Sequence, residues 1–176
     1  MKTEALFPSI LGPAFALLEP PLRWVHGGEG RELSGSVTVE RGTSFLAKVL
    51  AALTSLPPSL KDAPIQIRIQ IEGERERWIR TYAGSKVMAS TLYKASGSLV
   101  ERVGPAALTF RIVARAGGMD WQLQKASMLG IPLPASWFEV SARVDIRQGS
   151  YHFSIDSSLR GVSRIVRYEG LLDVGS

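Results

Sequence analysis

The sequence contains no cysteine and only two histidines, His26 and His152. The first absence excludes disulfides, thiolate-bound zinc, iron–sulfur clusters and thiol nucleophiles. The second, with no HxH or HxxxH pair and no clustered acids, argues against a first-row metal centre, so neither a metal nor a cofactor is expected. No apolar run approaches the roughly 18 residues of a membrane-spanning helix. There is no G-x-S-x-G elbow to seat a nucleophilic serine and no glycine-rich dinucleotide fingerprint. A polybasic run is missing too. The densest charge cluster, "GERERWIR" (Gly73 to Arg80), alternates signs, which weighs against nucleic-acid binding.

The 176 residues carry a net charge of +5 and a pI near 9.8, so an anionic membrane surface has to be considered as a partner. The N-terminal "EALFPSILGPAFALLEPPL" is apolar, but Pro8 and Pro13 interrupt it as an export signal. With the lack of cysteine, this places the chain in the cytoplasm as an expectation.

Up to residue 61 the periodicity is mainly helical, and from 62 it is that of strands. Short helices are expected near Glu4 to Leu11, Ala14 to Leu18 and Leu22 to His26, with a strand from Leu33 to Glu40. In "TSFLAKVLAALTSL" (Thr43 to Leu56), Phe45, Leu46, Val49, Leu50 and Leu53 form one apolar stripe, Thr43 or Ser44 can cap, and Pro57-Pro58 ends the helix. "PIQIRIQIE" then alternates, Ile65, Ile67, Ile69 and Ile71 against Gln66, Arg68, Gln70 and Glu72, and similar runs follow between glycine-marked turns. The pattern predicts a single α+β domain over 1–176. It would be a curved, half-barrel-like antiparallel meander of roughly eight to ten strands packed on one long amphipathic helix, with short N-terminal helices.

Candidate functional residues are few. In "ERWIRTYAG", Trp78, Arg80 and Tyr82 share one face of a strand. Facing inwards they would anchor an anionic group at one end of an apolar pocket, and facing outwards they would form a cation–π ladder. Arg164, Val166 and Tyr168 repeat the theme, and Trp121 shares a strand with Lys125, which makes Trp78, Arg80, Tyr82, Trp121, Arg164 and Tyr168 the ligand-binding candidates. Glu40-Arg41-Gly42 joins the first strand to the helix. It is either an acid/base pair or a structural corner in which Gly42 supplies a free dihedral, and the corner is favoured because no second acid, metal ligand or nucleophile stands at recognisable spacing. Glu76 is a further acid/base candidate. His152 is expected on a solvated outer face and His26 at a helix end, capping carbonyls.

"HGGEGRELSGSVTVERG", "ERWIRTYAG", "LVERVGP", "MLGIPLP" and "RYEGLL", in that order and over nearly the whole chain, resemble the domain of unknown function 4166 family of bacterial proteins. The resemblance implies no established activity. Members are free-standing or follow NAD-dependent reductase-like domains, which implies a separate oxidoreductase as a partner of this chain. Composition and pattern lead first to non-catalytic binding of a small hydrophobic or lipid-like molecule between sheet and helix. The alternatives are an accessory or catalytic partner of an oxidoreductase, in which Glu40, Arg41, Glu76 or Tyr168 would converge on one site, and a protein–protein interaction module using a sheet edge or the Ile131-Pro132-Leu133-Pro134 loop.

Overall fold

Strict alternation of apolar and polar side chains gives each long strand one face to bury, and short turns force successive strands to pair. The computed structural model describes residues 4–161 and 163–174. It contains α1 (Leu6–Leu11), a 3₁₀ segment (Gly12–Leu17), α2 (Pro20–His26), β1 (Arg31–Arg41), α3 (Phe45–Leu53), β2 (Leu60–Glu72), β3 (Arg75–Tyr82), β4 (Lys86–Ala95), β5 (Ser98–Val103) and β6 (Ala106–Arg115). β7 (Gly118–Met128), β8 (Ile131–Leu133), a 3₁₀ turn (Ala135–Trp137), β9 (Phe138–Arg147), β10 (Ser150–Leu159) and β11 (Ser163–Asp173) complete it.

The sheet runs β6-β5-β4-β3-β2-β1-β11-β10-β9-β7-β8, all pairs antiparallel, and β6 also pairs β7. Ten strands therefore close on themselves, while β8 only extends one side of β7. The expected half-open α+β meander on a long helix is corrected to a closed antiparallel β-barrel with three short helices. Alternation specifies which face of a strand is buried, but closure depends on accumulated twist and on pairings that no hairpin dictates, β1 with β11 from opposite ends of the chain and β7 with β9 across the β8 segment.

The helices sit at the ends. α1 and α2 plug the end holding the β2–β3, β4–β5, β6–β7 and β9–β10 turns, and there Phe7, Leu22, Val25 and His26 are fully buried. α3 closes the other end. It has nine residues, about 14 Å at 1.5 Å per residue, where a run from Thr43 to Leu56 was expected. Its N-cap Ser44 accepts from the Ala47 amide and bonds Ser163 of β11 at 2.7 Å. Its last carbonyl, Leu53 O, lies so close to the β5–β6 turn that a Cβ at Gly104 would meet it at 2.6 Å. The helix thus spans the mouth. The apolar stripe expected to be its buried face is mostly solvent-facing: Ala47 and Ala51 are buried, Leu50 is partly so, and Phe45, Leu46, Val49 and Leu53 are exposed. Small residues rather than large ones make the close approach, with Gly42 packed against Ala47 and the Arg164 carbonyl.

The outward faces of the wall carry Gln66, Arg68, Gln70, Arg77 and Arg111, all exposed. That polarity is the reverse of a lipid-facing barrel, whose outward band is apolar. No helix among the described residues is long and apolar enough to cross a membrane.

Candidate functional site

β3 places Glu76, Trp78, Arg80 and Tyr82 on the barrel's inner face, alternating with Arg75, Arg77, Ile79 and Thr81 outside. The inward option for "ERWIRTYAG" is therefore the one realised. The Arg80 Cζ lies 5.4 Å from the Trp78 ring centroid. Its Nη1 donates to Ser90 Oγ at 2.8 Å and its Nη2 to Glu101 Oε1 at 3.2 Å. Burial alone would lower the guanidinium's pKa, but the Glu101 carboxylate and the neighbouring Tyr168 and Tyr82 hold it above its ordinary value. The buried charge is thus matched within the wall, and Arg80 is not a free anchor for an anion.

These side chains surround a cavity of about 210 Å³, room for roughly seven waters at liquid density. Most of the lining is apolar, from Ile65, Ile67, Met88, Leu108, Phe110 and Val140 among others, and Leu50, Thr54 and Leu56 close it at the α3 end. Against this background three buried polar atoms stand without a partner among the described residues, His26 Nδ1 towards the plugged end and two on cavity-lining side chains. The Tyr82 hydroxyl, on a fully buried side chain, has no hydrogen-bond partner among the described residues, and Trp121 Nε1 is likewise unpartnered. Burial raises the pKa of Tyr82 and of Tyr168, so both phenols stay protonated. Tyr168 also lines the cavity.

Towards the plugged end the packing is aromatic. Phe7 and His26 have ring centroids 4.2 Å apart, Phe7 and Trp121 5.9 Å, and Phe110 and Trp121 5.6 Å. His26 stacks on Trp78 and its Nε2 lies 3.1 Å from the Tyr151 hydroxyl, so it is a core residue rather than a carbonyl cap, and burial pushes its pKa down to about 3. Glu76 accepts from Trp78 Nε1 at 2.9 Å. Burial drives its carboxyl up to about 7, only partly offset by that bond.

A second hollow, of about 820 Å³, opens through the wall where β7 and β9 part company. The two strands pair only between Gly118–Trp121 and Ala142–Asp145, and β7 then turns to β8 from Ala126 onwards. The hollow shares Trp121, Leu123, Phe138, Val140, Ala142 and Arg143 with the interior cavity, so only this stretch of wall separates the two.

Five ligand candidates, Trp78, Arg80, Tyr82, Trp121 and Tyr168, meet in this cavity, and Arg164 does not. A bulge in the β10–β11 register, where Ser157 faces Val166 and Ser158 faces Arg164, lets Ile165 and Val166 both be buried and turns Arg164 outwards. There it pairs with Glu40 at 2.9 Å and Asp156 at 3.5 Å. Glu40 is thus an exposed ion-pair partner, Arg41 donates its backbone amide to Ser59 Oγ, and neither approaches Glu76 on the inner face. Gly42 serves the corner by lacking a side chain, since a Cβ would stand 1.7 Å from Arg164 O. His152 lies on the outer face as expected but is buried rather than solvated, bridging Asp145 at 2.9 Å and Glu169 at 2.8 Å.

Sequence reasoning missed Glu101, Ser90, Tyr151 and the inward role of His26. Glu101 had a signal, since it alternates with Leu99 and Val103 on one face of β5. Tyr151 alternates likewise with Phe153 and Ile155, and Ser90 with Met88 and Leu92, so only the inward role of His26 has no short-range pattern behind it.

A comparison with curated proteins gave no match. The family model of a domain of unknown function, DUF4166, matches residues 18–172, which span every barrel strand but the last residue of β11 and include all the cavity residues named above. The chain belongs to the DUF4166 family.

Proposed function

We propose that the barrel is a non-catalytic binding site for a small apolar or amphipathic molecule whose polar end is uncharged. The observation that carries this is the Tyr82 hydroxyl, buried without a partner among the described residues at the wall of a mostly apolar cavity. A buried, unsatisfied polar group costs about 1–3 kcal/mol, and a ligand hydroxyl, carbonyl or protonated carboxyl would relieve it. An ionised head group fits less well, because Glu101 already compensates Arg80 and would repel it. The dispersal of Glu40 and Arg41 away from Glu76 and Tyr168 leaves the acid/base alternative without a convergent site.

The test is native mass spectrometry of the gently purified chain for a co-purified molecule, followed by thermal unfolding with decanol and with decanoate. Decanol should raise the melting temperature more than decanoate near neutral pH, and Tyr82→Phe should shrink the decanol effect. No adduct, together with no stabilisation by either compound, would sink the proposal.

A further inference from the structure

We propose that the α3 end of the barrel docks on an anionic membrane surface, with α3 as the contact element through which an apolar ligand passes between bilayer and cavity. The inference rests on the ligand-binding reading above. Phe45, Leu46, Val49 and Leu53 are exposed on the helix that spans the mouth, Phe45 to 82%. The opposite side of that helix, through Leu50 and Thr54, lines the cavity. Further exposed apolar groups stand between β7 and β9 around the same end: Leu129 in the β7–β8 turn, Ile131 at the start of β8 and Trp137 in the 3₁₀ turn. Backbone bonds tie this segment to the rim, Leu129 N to Pro105 O at 2.9 Å and Arg160 N to Trp137 O at 2.8 Å.

Charge selects the occupant. Around this mouth Arg41, Lys48, Lys61, Lys86 and Arg102 form no salt bridge among the described residues, while three of the nearby carboxylates, Glu40, Glu139 and Asp156, are already paired with Arg164 or Arg160. Asp62 is the one acid at this end without such a partner among the described residues. An apolar helix face set in a basic ring is complementary to a bilayer interface bearing acidic lipids, where aromatic and aliphatic side chains enter the head-group layer and Lys and Arg remain at its surface. A second copy of the chain would bring two like-charged rings together. The wall opening between β7 and β9 adjoins the same end through Phe138 and Glu139.

The experiment is flotation of the full chain with vesicles of equimolar phosphatidylglycerol and phosphatidylcholine, and with phosphatidylcholine alone. Binding is expected to the mixed vesicles, to weaken with added salt, and to be much poorer to phosphatidylcholine alone. Phe45→Ser with Leu46→Ser should abolish it and Lys48→Glu should weaken it about tenfold or more. Both variants should keep the wild-type circular dichroism and melting temperature, because the altered side chains are exposed. Leu17→Ser, at the opposite end, should bind as wild type does. The proposal is overturned if no vesicle binds, if the α3 variants bind unchanged, or if the chain is a dimer that the α3 variants dissociate. Decanol stabilisation is read separately in solution. A chain that decanol stabilises but that ignores vesicles refutes the docking alone, and one that docks without decanol or a co-purified molecule refutes the ligand reading alone.

Discussion

Replacing Glu76 with Gln removes a carboxyl that the fold holds in its protonated form. Its pKa rises from the 4.5 of a free glutamate to about 7, chiefly because it is buried. Between those values the unfolded chain has lost the proton while the folded chain keeps it, so stability falls as pH rises from about 4.5 to about 7 and then levels. At about 1.4 kcal/mol per pH unit the whole loss is about 3 kcal/mol. Glu76→Gln keeps an acceptor for Trp78 Nε1 and cannot ionise. Whatever fixed cost its amide brings applies at every pH. The expected result is that the variant's stability relative to wild type rises by about 3 kcal/mol between about pH 4 and about pH 8, read from urea unfolding followed by tryptophan fluorescence. His26 acts in the opposite sense. Its pKa is depressed to about 3, so it costs stability as pH falls below 6.5. It is present in both proteins and cancels in the comparison. A stability difference that does not change with pH would show that folding leaves the Glu76 pKa where it is in the unfolded chain and would refute the reasoning.

Arg80→Met alone should cost about 3–5 kcal/mol by stranding Glu101 inside the barrel, while Arg80→Met with Glu101→Leu should recover most of that loss; additive losses in denaturant unfolding would argue against a coupled buried pair. Gly42→Ala should destabilise by at least about 1–3 kcal/mol, since the new Cβ would collide with a backbone carbonyl that has little freedom to move, and an unchanged melting temperature would contradict this. Glu40→Gln at the same corner breaks only an exposed ion pair with Arg164 and should cost under about 1 kcal/mol by the same measurement.

The residues of the cavity were legible in the strands because a period of two is a local property: Trp78, Arg80 and Tyr82 must share a face whichever way the sheet curls. Glu101 was legible on the same grounds, standing between Leu99 and Val103 on its strand. Where the alternation breaks, the sequence misleads. The bulge at Ile165 follows from how β11 registers against β10, and it moved Arg164 from the expected pocket to the outer surface. The apolar stripe of α3 correctly marked a helix, but it assigned the wrong face to the interior, because the line of small residues Ala47 and Ala51 lets the helix cross the mouth closely.

By itself, then, the sequence determined the strands, their two faces, the amphipathic helix and the family, all of which depend on side chains within a few positions of one another. Only the tertiary structure decided that the sheet closes, that Arg80 meets Glu101, that the Tyr82 hydroxyl is left without a partner, and that α3 turns its large apolar side chains to the outside. Each of these depends on pairings between segments far apart in the chain, and no local pattern encodes them.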